Sequence, residues 1–118
     1  EHGSIIASEA GSALAYGINN AQGRGTMFIG PATEVYMGMV VGVNALPMDL
    51  EVNVTKGKKL TNMRASGSDS SIILTPPQEV TLDFALEYIG PDELAEVTPQ
   101  SIRIRKKYLT MNERKKNK

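Results

Sequence analysis

The sequence predicts an α+β fold made mainly of antiparallel β strands in a compact, barrel-like sheet, with one well-defined helix and one long basic loop. Three observations predict it. Short segments with alternating apolar side chains recur along the chain, as in Leu50–Val54, and a period of two residues is typical of strands. One stretch, at about 81–89, has the apolar spacing of a helix. A cationic segment at about 56–69 has neither period and separates two strand candidates.

The first residues predict a hairpin. Ser4–Ser8 is a short strand candidate, Glu9-Ala10-Gly11 is a turn, and Ser12–Tyr16 alternates small or polar residues with apolar ones. A single helical turn is expected from Ile18 to Gly23.

Three more strands are predicted before the basic loop. They are Thr26–Ile29, Met39–Val43 and Leu50–Val54, of which Met39–Val43 is the most apolar and is expected to be buried. The glycines that bracket the buried strand, Gly38 and Gly42, predict bends or bulges.

The segment at 81–89 has the signals of a complete helix. Thr81 is a suitable N-cap, Asp83 places a negative charge in the first turn, and Gly90-Pro91 ends the helix. One apolar face is predicted at i, i+3, i+4 and i+7, formed by Leu82, Ala85, Leu86 and Ile89.

Around this helix the pattern returns to strands. Ile72–Leu74 is a strand candidate that Pro76-Pro77 ends, and Glu93–Val97 is either a strand or a helical turn. Ser101–Arg105 alternates again, so Ile102 and Ile104 are expected to face the core while Arg103 and Arg105 face outward.

The 118 residues suit a single domain, predicted over 1–110, followed by a disordered basic tail at 111–118. The chain contains no cysteine, which excludes disulfides and thiolate metal sites and fits a reducing compartment. No segment approaches the roughly 18 apolar residues of a membrane span. The chain lacks an initiator Met, which predicts a fragment of a longer protein.

The formal net charge is zero, but the charges are separated along the chain. Residues 1–55 contain five acids and one base, Arg24, and residues 79–96 contain six acids and no base. Residues 101–118 contain eight bases and one acid, Glu113. This distribution is more informative than the total.

The basic segment itself, Lys56–Ser68, carries four positive charges and no negative one, together with glycines and small hydroxyl or amide side chains. Exposed lysines, arginines and backbone N–H groups are the donors that meet phosphates. The segment therefore predicts binding to a polyanion, with the rest of the chain as its support.

A second basic element follows in the last strand. Arg103 and Arg105 share one face of it, and Lys106 and Lys107 come directly after. Tyr108 is the one aromatic side chain nearby, so stacking on bases is not predicted. The pattern predicts binding to the nucleic-acid backbone instead.

The sequence offers little for catalysis. His2 is the only histidine and lies at the terminus, so a Ser-His-Asp arrangement would have to pass through it. The carboxylates between Glu79 and Glu96 are a candidate acid pair or hard-metal site, but they read more simply as a solvated face. The glycines around Lys58 and Arg24 do not have the spacing of phosphate or dinucleotide loops.

Four strings together closely resemble the C-terminal domain of the bacterial TypA/BipA translational GTPases, and the resemblance covers about Gly3 to Lys116. They are GTMFIGP at 25–31, TEVYMGMVVG at 33–42, GKKLTNMRASGSD at 57–69 and LAEVTPQSIRIRK at 94–106.

The resemblance implies a ribosome-binding GTPase that acts in stress adaptation and large-subunit assembly, with its GTP and Mg²⁺ in a domain upstream of this one. This domain would have no cofactor and no catalysis of its own. It would be a mainly β unit, cytoplasmic and ribosome-associated, that contacts large-subunit ribosomal RNA and the acceptor end of the A-site tRNA. The upstream domains of the same chain would be further partners, and the fragment itself is expected to be a monomer.

The resemblance and the basic patterns together predict a set of RNA-binding residues. In the long loop and the last strand these are Lys56, Lys58, Lys59, Asn62, Arg64, Ser66, Ser68, Arg103, Arg105, Lys106 and Lys107. The alternative is a protein-interaction module in which the acidic helix docks on the upstream domains or on a basic protein.

Overall fold

The computed structural model describes residues 3–57 and 73–116, which form eight strands and three helices. In chain order the elements are β1 (Gly3–Ala7), β2 (Gly11–Ser12), α1 (Ala15–Gln22), β3 (Gly25–Met27), β4 (Glu34–Val35), β5 (Met39–Asn44), β6 (Leu50–Val52), α2 (Leu82–Tyr88), β7 (Glu93–Val97), β8 (Ile102–Lys106) and α3 (Met111–Lys116).

The apolar strand β5 lies at the centre of the main sheet, whose order is β6-β1-β5-β8-β7, with β3 also paired to β5. All pairs are antiparallel except β1 with β6. The predicted α+β class with a mainly antiparallel sheet is confirmed. In the described residues the sheet is not a closed barrel, because β6 and β7 form its two ends.

Alternate residues of β5 pack into two separate apolar clusters. Met39 and Val41 join the cluster that includes Ile18 and Ala21 of α1. Val40 joins Ala85 of α2 in the other cluster. Because neighbouring residues of a strand point to opposite faces, α1 and α2 cover opposite faces of the sheet.

The glycines around β5 behave as predicted. The register between β1 and β5 shifts between Ile5, which faces Gly42, and Ile6, which faces Val40, so the strand bulges beside Gly42. Gly38 has φ of +92°, a conformation that glycine adopts readily, and its Cα lies against Leu109.

The predicted N-terminal hairpin is wrong. Ser12 ends a two-residue strand that pairs with β4, and the helix α1 begins at Ala15, inside the stretch predicted as a strand. The alternation of small residues in Ser12–Tyr16 misled the prediction, because it does not distinguish a strand from the start of a helix. The helix then packs closely at Gly17, where a Cβ would lie 2.5 Å from the carbonyl oxygen of Val54.

The helix α2 confirms its predicted position and cap, and Ala85 and Ile89 of its predicted apolar face pack inward, but Leu82 and Leu86 are exposed. The Thr81 hydroxyl accepts a hydrogen bond from the Phe84 amide at 3.1 Å. Phe84, Ala85 and Tyr88 pack inward, and the rings of Phe84 and Tyr88 both meet Phe28 edge-on at 5.5 Å. The aromatic pair decides the rotation of the helix, because it buries more surface than two leucines.

The tail at 111–118 was predicted to be disordered, but in the structure Met111–Lys116 is helical. Thr110 and Glu113 form a reciprocal cap: the Glu113 amide donates to the Thr110 hydroxyl, and the Thr110 amide donates to the Glu113 carboxylate. Arg114 then fixes α3 to β6 through Glu51 and donates to the carbonyls of Tyr108 and Leu109.

The predicted strand at Ile72–Leu74 falls partly outside the described residues, and Ile73 and Leu74 belong to no strand. In the ranges that the structure describes, no helix has the length and apolar character needed to cross a membrane.

Candidate nucleic-acid interface

Most of the predicted RNA-binding loop lies outside the described residues: Lys58, Lys59, Asn62, Arg64, Ser66 and Ser68. Their role stays a prediction. The structure does show where the two ends of this segment are fixed, at Lys56-Gly57 and at Ile73. Lys56 is exposed at the first of these ends.

Helix α1 holds both ends of the segment. At the near end, the Leu14 amide at the start of α1 donates to the Val54 carbonyl at 2.8 Å. At the far end, the Gln22 side-chain amide donates to the Ile73 carbonyl at 2.8 Å and accepts from the Thr75 amide at 2.9 Å. One rigid helix thus sets the spacing between the two points from which residues 58–72 depart.

Arg103 and Arg105 lie on one face of β8, as predicted, and both meet Glu96 on the neighbouring strand. Arg105 Nη1 is 3.4 Å and Arg103 Nε 3.9 Å from the Glu96 carboxylate. Tyr36 donates its hydroxyl to the same carboxylate at 2.5 Å, and the Arg103 guanidinium lies over the Tyr36 ring. Glu96, Arg103 and Arg105 together carry a net charge of about +1.

Burial and the hydrogen bond to Glu96 raise the pKa of the Tyr36 hydroxyl well above its ordinary value. The Nε of Arg103 is buried and has no hydrogen-bond partner among the described residues. Both arginine side chains are therefore half-buried and interact with Glu96, whereas the sequence predicted that they face solvent.

Lys106 has a structural role that the sequence did not indicate. Its residue surface is only 2% exposed, and its ammonium lies 2.7 Å from Asp49, 2.9 Å from Asp92 and 3.0 Å from Glu93. Burial lowers the pKa of Lys106, but the three carboxylates outweigh that effect and raise it overall. An ammonium enclosed in this way is not accessible to phosphate, so the predicted RNA contact of Lys106 is corrected.

The buried network continues from Glu93 to Ser4 and Tyr88. The Ser4 hydroxyl donates to Glu93 at 2.6 Å and lies 2.7 Å from the Tyr88 hydroxyl. Burial raises the pKa of Tyr88 to about 12. This network joins β1, α2 and β7, and it explains why an acid and a lysine are buried at this end of the sheet.

Lys107, the next residue, is exposed, and its ammonium lies 5.7 Å from the centre of the Tyr108 ring. Of the predicted bases that the structure describes, Lys56 and Lys107 are thus the exposed ones. The sequence did not predict that α1 holds the ends of the basic segment. The one signal near that helix was Arg24, the single base among residues 1–55, which lies two residues after α1.

The carboxylates of residues 79–96 do not support a metal centre. Across residues 3–57 and 73–116, no three or more His, Asp or Glu side chains are arranged to hold a metal ion. Glu93 and Asp92 are instead turned toward Lys106.

Comparison with known proteins agrees with the resemblance noted from the sequence. Residues 2–111 match the family model of the TypA/BipA C-terminal domain. The large ribosomal subunit assembly factor BipA of Buchnera aphidicola subsp. Baizongia pistaciae is 52% identical over 114 residues, which are 97% of this chain and 19% of that protein.

The protein of the same name from Escherichia coli K12 is 49% identical over 116 residues, which are 98% of this chain and 19% of that protein. This chain therefore spans about a fifth of the length of these relatives, and the matched part is their C-terminal domain. On this evidence of sequence and coverage, the chain belongs to the TypA/BipA C-terminal domain family.

Proposed function

We propose that this chain is the ribosome-binding C-terminal domain of a TypA/BipA-like translational GTPase. It contacts large-subunit ribosomal RNA and the acceptor end of the A-site tRNA, and the whole protein acts in large-subunit assembly and stress adaptation. The parent protein binds GTP and Mg²⁺ in an upstream domain, and it is cytoplasmic and ribosome-associated. The name of the relatives, large ribosomal subunit assembly factor, supports the ribosome as the partner.

The observation that carries this proposal is the attachment of both ends of the basic segment to α1. A long cationic segment loses conformational entropy when it binds RNA. Fixing its two ends on one helix reduces that loss, because the segment has fewer conformations to give up. The arrangement suits a segment that is presented to a large target.

The remaining bases add charge to the same side of the sheet. Arg105 pairs with Met39 in the β5–β8 register, and Met39 belongs to the apolar cluster of α1. Because directly paired residues of two strands point to the same face, Arg103 and Arg105 lie on the α1 face. Their net positive charge can support the loop.

The test removes three loop charges from the full-length protein, as Lys58→Ala, Lys59→Ala and Arg64→Ala together. We expect weaker co-sedimentation with ribosomes. For wild type, we expect log affinity to fall with log salt at a slope of about −3 to −4, since about four loop cations each displace a counterion. The triple variant should have a slope shallower by about 2 to 3.

The control is Lys115→Gln with Lys116→Gln, which removes two exposed charges from α3. This variant should sediment with ribosomes nearly as wild type does. Unchanged co-sedimentation of the loop variant would contradict the assignment of the loop as the RNA-binding element.

We also infer a second candidate function, docking on a basic protein surface, from the outer face of α2. Leu82 and Leu86 are 45% and 58% exposed there, one turn apart, beside the exposed acids Asp83 and Glu87. Apolar anchors rimmed by one sign of charge are typical of protein interfaces. The upstream domains of the parent, or another basic protein, would be the partner.

Replacing Leu82 and Leu86 by serine in the full-length protein separates the two candidates. If α2 docks on a protein, these changes weaken ribosome binding or loosen the packing of the upstream domains, seen as faster limited proteolysis between domains. Binding to protein-free ribosomal RNA should not change. If RNA binding by the loop is the whole function, neither property changes.

A further inference from the structure

A groove runs beside the edge strand β6, between it and helix α1. It has a volume of about 320 Å³. Gly17 and Ala21 of α1, which are buried, line it together with Arg24 and Lys56, which are exposed. At Gly17 the helix packs almost directly on the backbone of Val54, so only a glycine fits there.

The groove is positively charged in spite of the acid that lines it. Arg24 and Lys56 are both exposed, and within residues 3–57 and 73–116 neither forms an ion pair with an acid. Glu51 also lines the groove, but Arg114 of α3 binds its carboxylate. The local balance therefore stays at about two positive charges, counted from Arg24 and Lys56.

Two amide side chains add neutral hydrogen-bonding groups. Asn20 lies exposed on α1, and Asn53 follows the end of β6. The oxygen of Asn53 accepts from the Thr55 amide at 2.9 Å and the Thr55 hydroxyl at 2.6 Å. Its amide nitrogen is then the group left to donate, and amide donors are common partners of phosphate oxygens.

The groove is also rigid and lies next to the basic segment. Strand β6 is paired with β1, and the Ser8 amide donates to the Val52 carbonyl at 2.9 Å. Lys56, which lines the groove, is also the first residue of the predicted RNA-binding segment. A polyanion held by that sequence would meet the groove next.

We propose that this groove binds the sugar–phosphate backbone of an RNA strand, with Arg24 and Lys56 as its phosphate ligands. The proposal rests on the proposed RNA-binding function and extends it from Lys56, which the sequence already predicted, to Arg24 and the groove between them. No aromatic side chain lines the groove among the described residues, so it offers no stacking platform and reads backbone rather than sequence.

The experiment uses the full-length protein with Arg24→Gln and Lys56→Gln together, and two probes: purified large ribosomal subunits and protein-free large-subunit ribosomal RNA. Affinity is measured from 50 to 300 mM salt, a range of roughly the kind in which counterion release is resolved. We expect weaker binding to both probes. The slope of log affinity against log salt should become shallower by about 1.4 to 1.8, because two phosphate contacts are lost.

Two further variants make the result specific to the groove. Lys115→Gln with Lys116→Gln removes the same charge from α3 and should leave the slope nearly unchanged. Asn20→Leu places an apolar side chain in the groove from an exposed position without adding an aromatic ring or changing the charge, so it should weaken binding several-fold without altering the slope. Thermal unfolding of each variant verifies that the fold is retained.

The outcomes separate this proposal from the proposed function. Weakening by the loop variant alone, with the groove variant unchanged, overturns the groove and leaves the function standing. Weakening on subunits but not on protein-free RNA also overturns it, because the groove would then bind an acidic protein. If neither the loop nor the groove variant binds differently from wild type, both proposals fail.

Discussion

Two adjacent lysines show how differently the same residue type behaves in this fold. Lys106 is enclosed by Asp49, Asp92 and Glu93, whereas Lys107 is exposed. The enclosed ammonium compensates acids from two distant parts of the chain, Asp49 before β6 and Asp92-Glu93 at the start of β7. Glu93 is itself only 4% exposed, so its charge would be costly without that partner.

Replacing Lys106 by alanine should therefore destabilise the protein strongly. We expect a loss of about 3–5 kcal/mol in the free energy of unfolding, because the change removes the cation that compensates the buried Glu93 carboxylate. Urea unfolding measures it. The matched control is Lys107→Ala, which should change the free energy by no more than about 0.5 kcal/mol. Equal effects of the two changes would contradict the role assigned to Lys106.

The same network makes stability depend on alkaline pH through Tyr88. Its pKa is about 12 in the folded protein, against the ordinary 10.0. A raised pKa means that folding favours the protonated phenol, so this contribution is complete below pH 10 and is lost as the pH rises toward 12. Denaturation midpoints of wild type should fall over that window.

In Tyr88→Phe the fall between pH 10 and 12 should be smaller, although Tyr36, whose pKa is also raised, keeps part of it. Phenylalanine preserves the ring contact with Phe28. An identical pH dependence in the variant would show that Tyr88 does not contribute to it.

At the scale of elements, α1 is the part that connects the fold to its proposed function. Its first turn binds the backbone before the basic segment, and its last residue binds the backbone after it. Gly17 permits the close packing, because the Val54 carbonyl occupies the place of a side chain. The near end of the basic segment and the β6 groove therefore both depend on this glycine.

Gly17→Ala should thus affect stability and binding together. We expect a loss of about 1–3 kcal/mol in the free energy of unfolding from overpacking, together with weaker ribosome co-sedimentation of the full-length protein. The control is Gly23→Ala, at a site where an added Cβ would meet nothing within 4 Å. If Gly17→Ala were as stable as wild type, the close approach of α1 would not be the constraint described.

At the scale of the whole molecule, the zero net charge conceals two sides of opposite character. Helix α2, with Asp83 and Glu87, covers one face of the sheet, and α1 covers the other. The exposed bases Arg24 and Lys56 lie along the α1 side. A ribosome approached by the α1 side would meet bases first and keep the acidic helix away from RNA phosphates.

Removing the α2 charges, as Asp83→Asn with Glu87→Gln, should therefore change ribosome affinity by less than about twofold at physiological salt. The reason is screening, since the Debye length is about 8 Å under those conditions. Co-sedimentation of the full-length protein measures the effect. A loss of tenfold or more would instead favour docking of α2 on a basic protein surface.

Most strands, the capped helix α2 and the family could be predicted from the sequence, because each depends on local patterns of neighbouring residues. Thr81 caps its helix whatever packs on it, and alternation in β8 places Ile104 inward wherever the strand lies. The start of α1 could not be predicted, because small residues alternate equally well in a strand and in a closely packed helix.

The basic segment and the separation of charges were determined by the sequence alone. Which bases face solvent was decided only by the tertiary structure. Alternation along β8 already puts Lys106 on the face of Ile104, but only folding brings Asp49 and Asp92 to its ammonium. In the same way, folding brings Arg24 beside Lys56 in one groove. The physical reason is that a charged group's interaction with a ligand depends on its ion-pair partners and its burial. Both are set by residues distant in the chain.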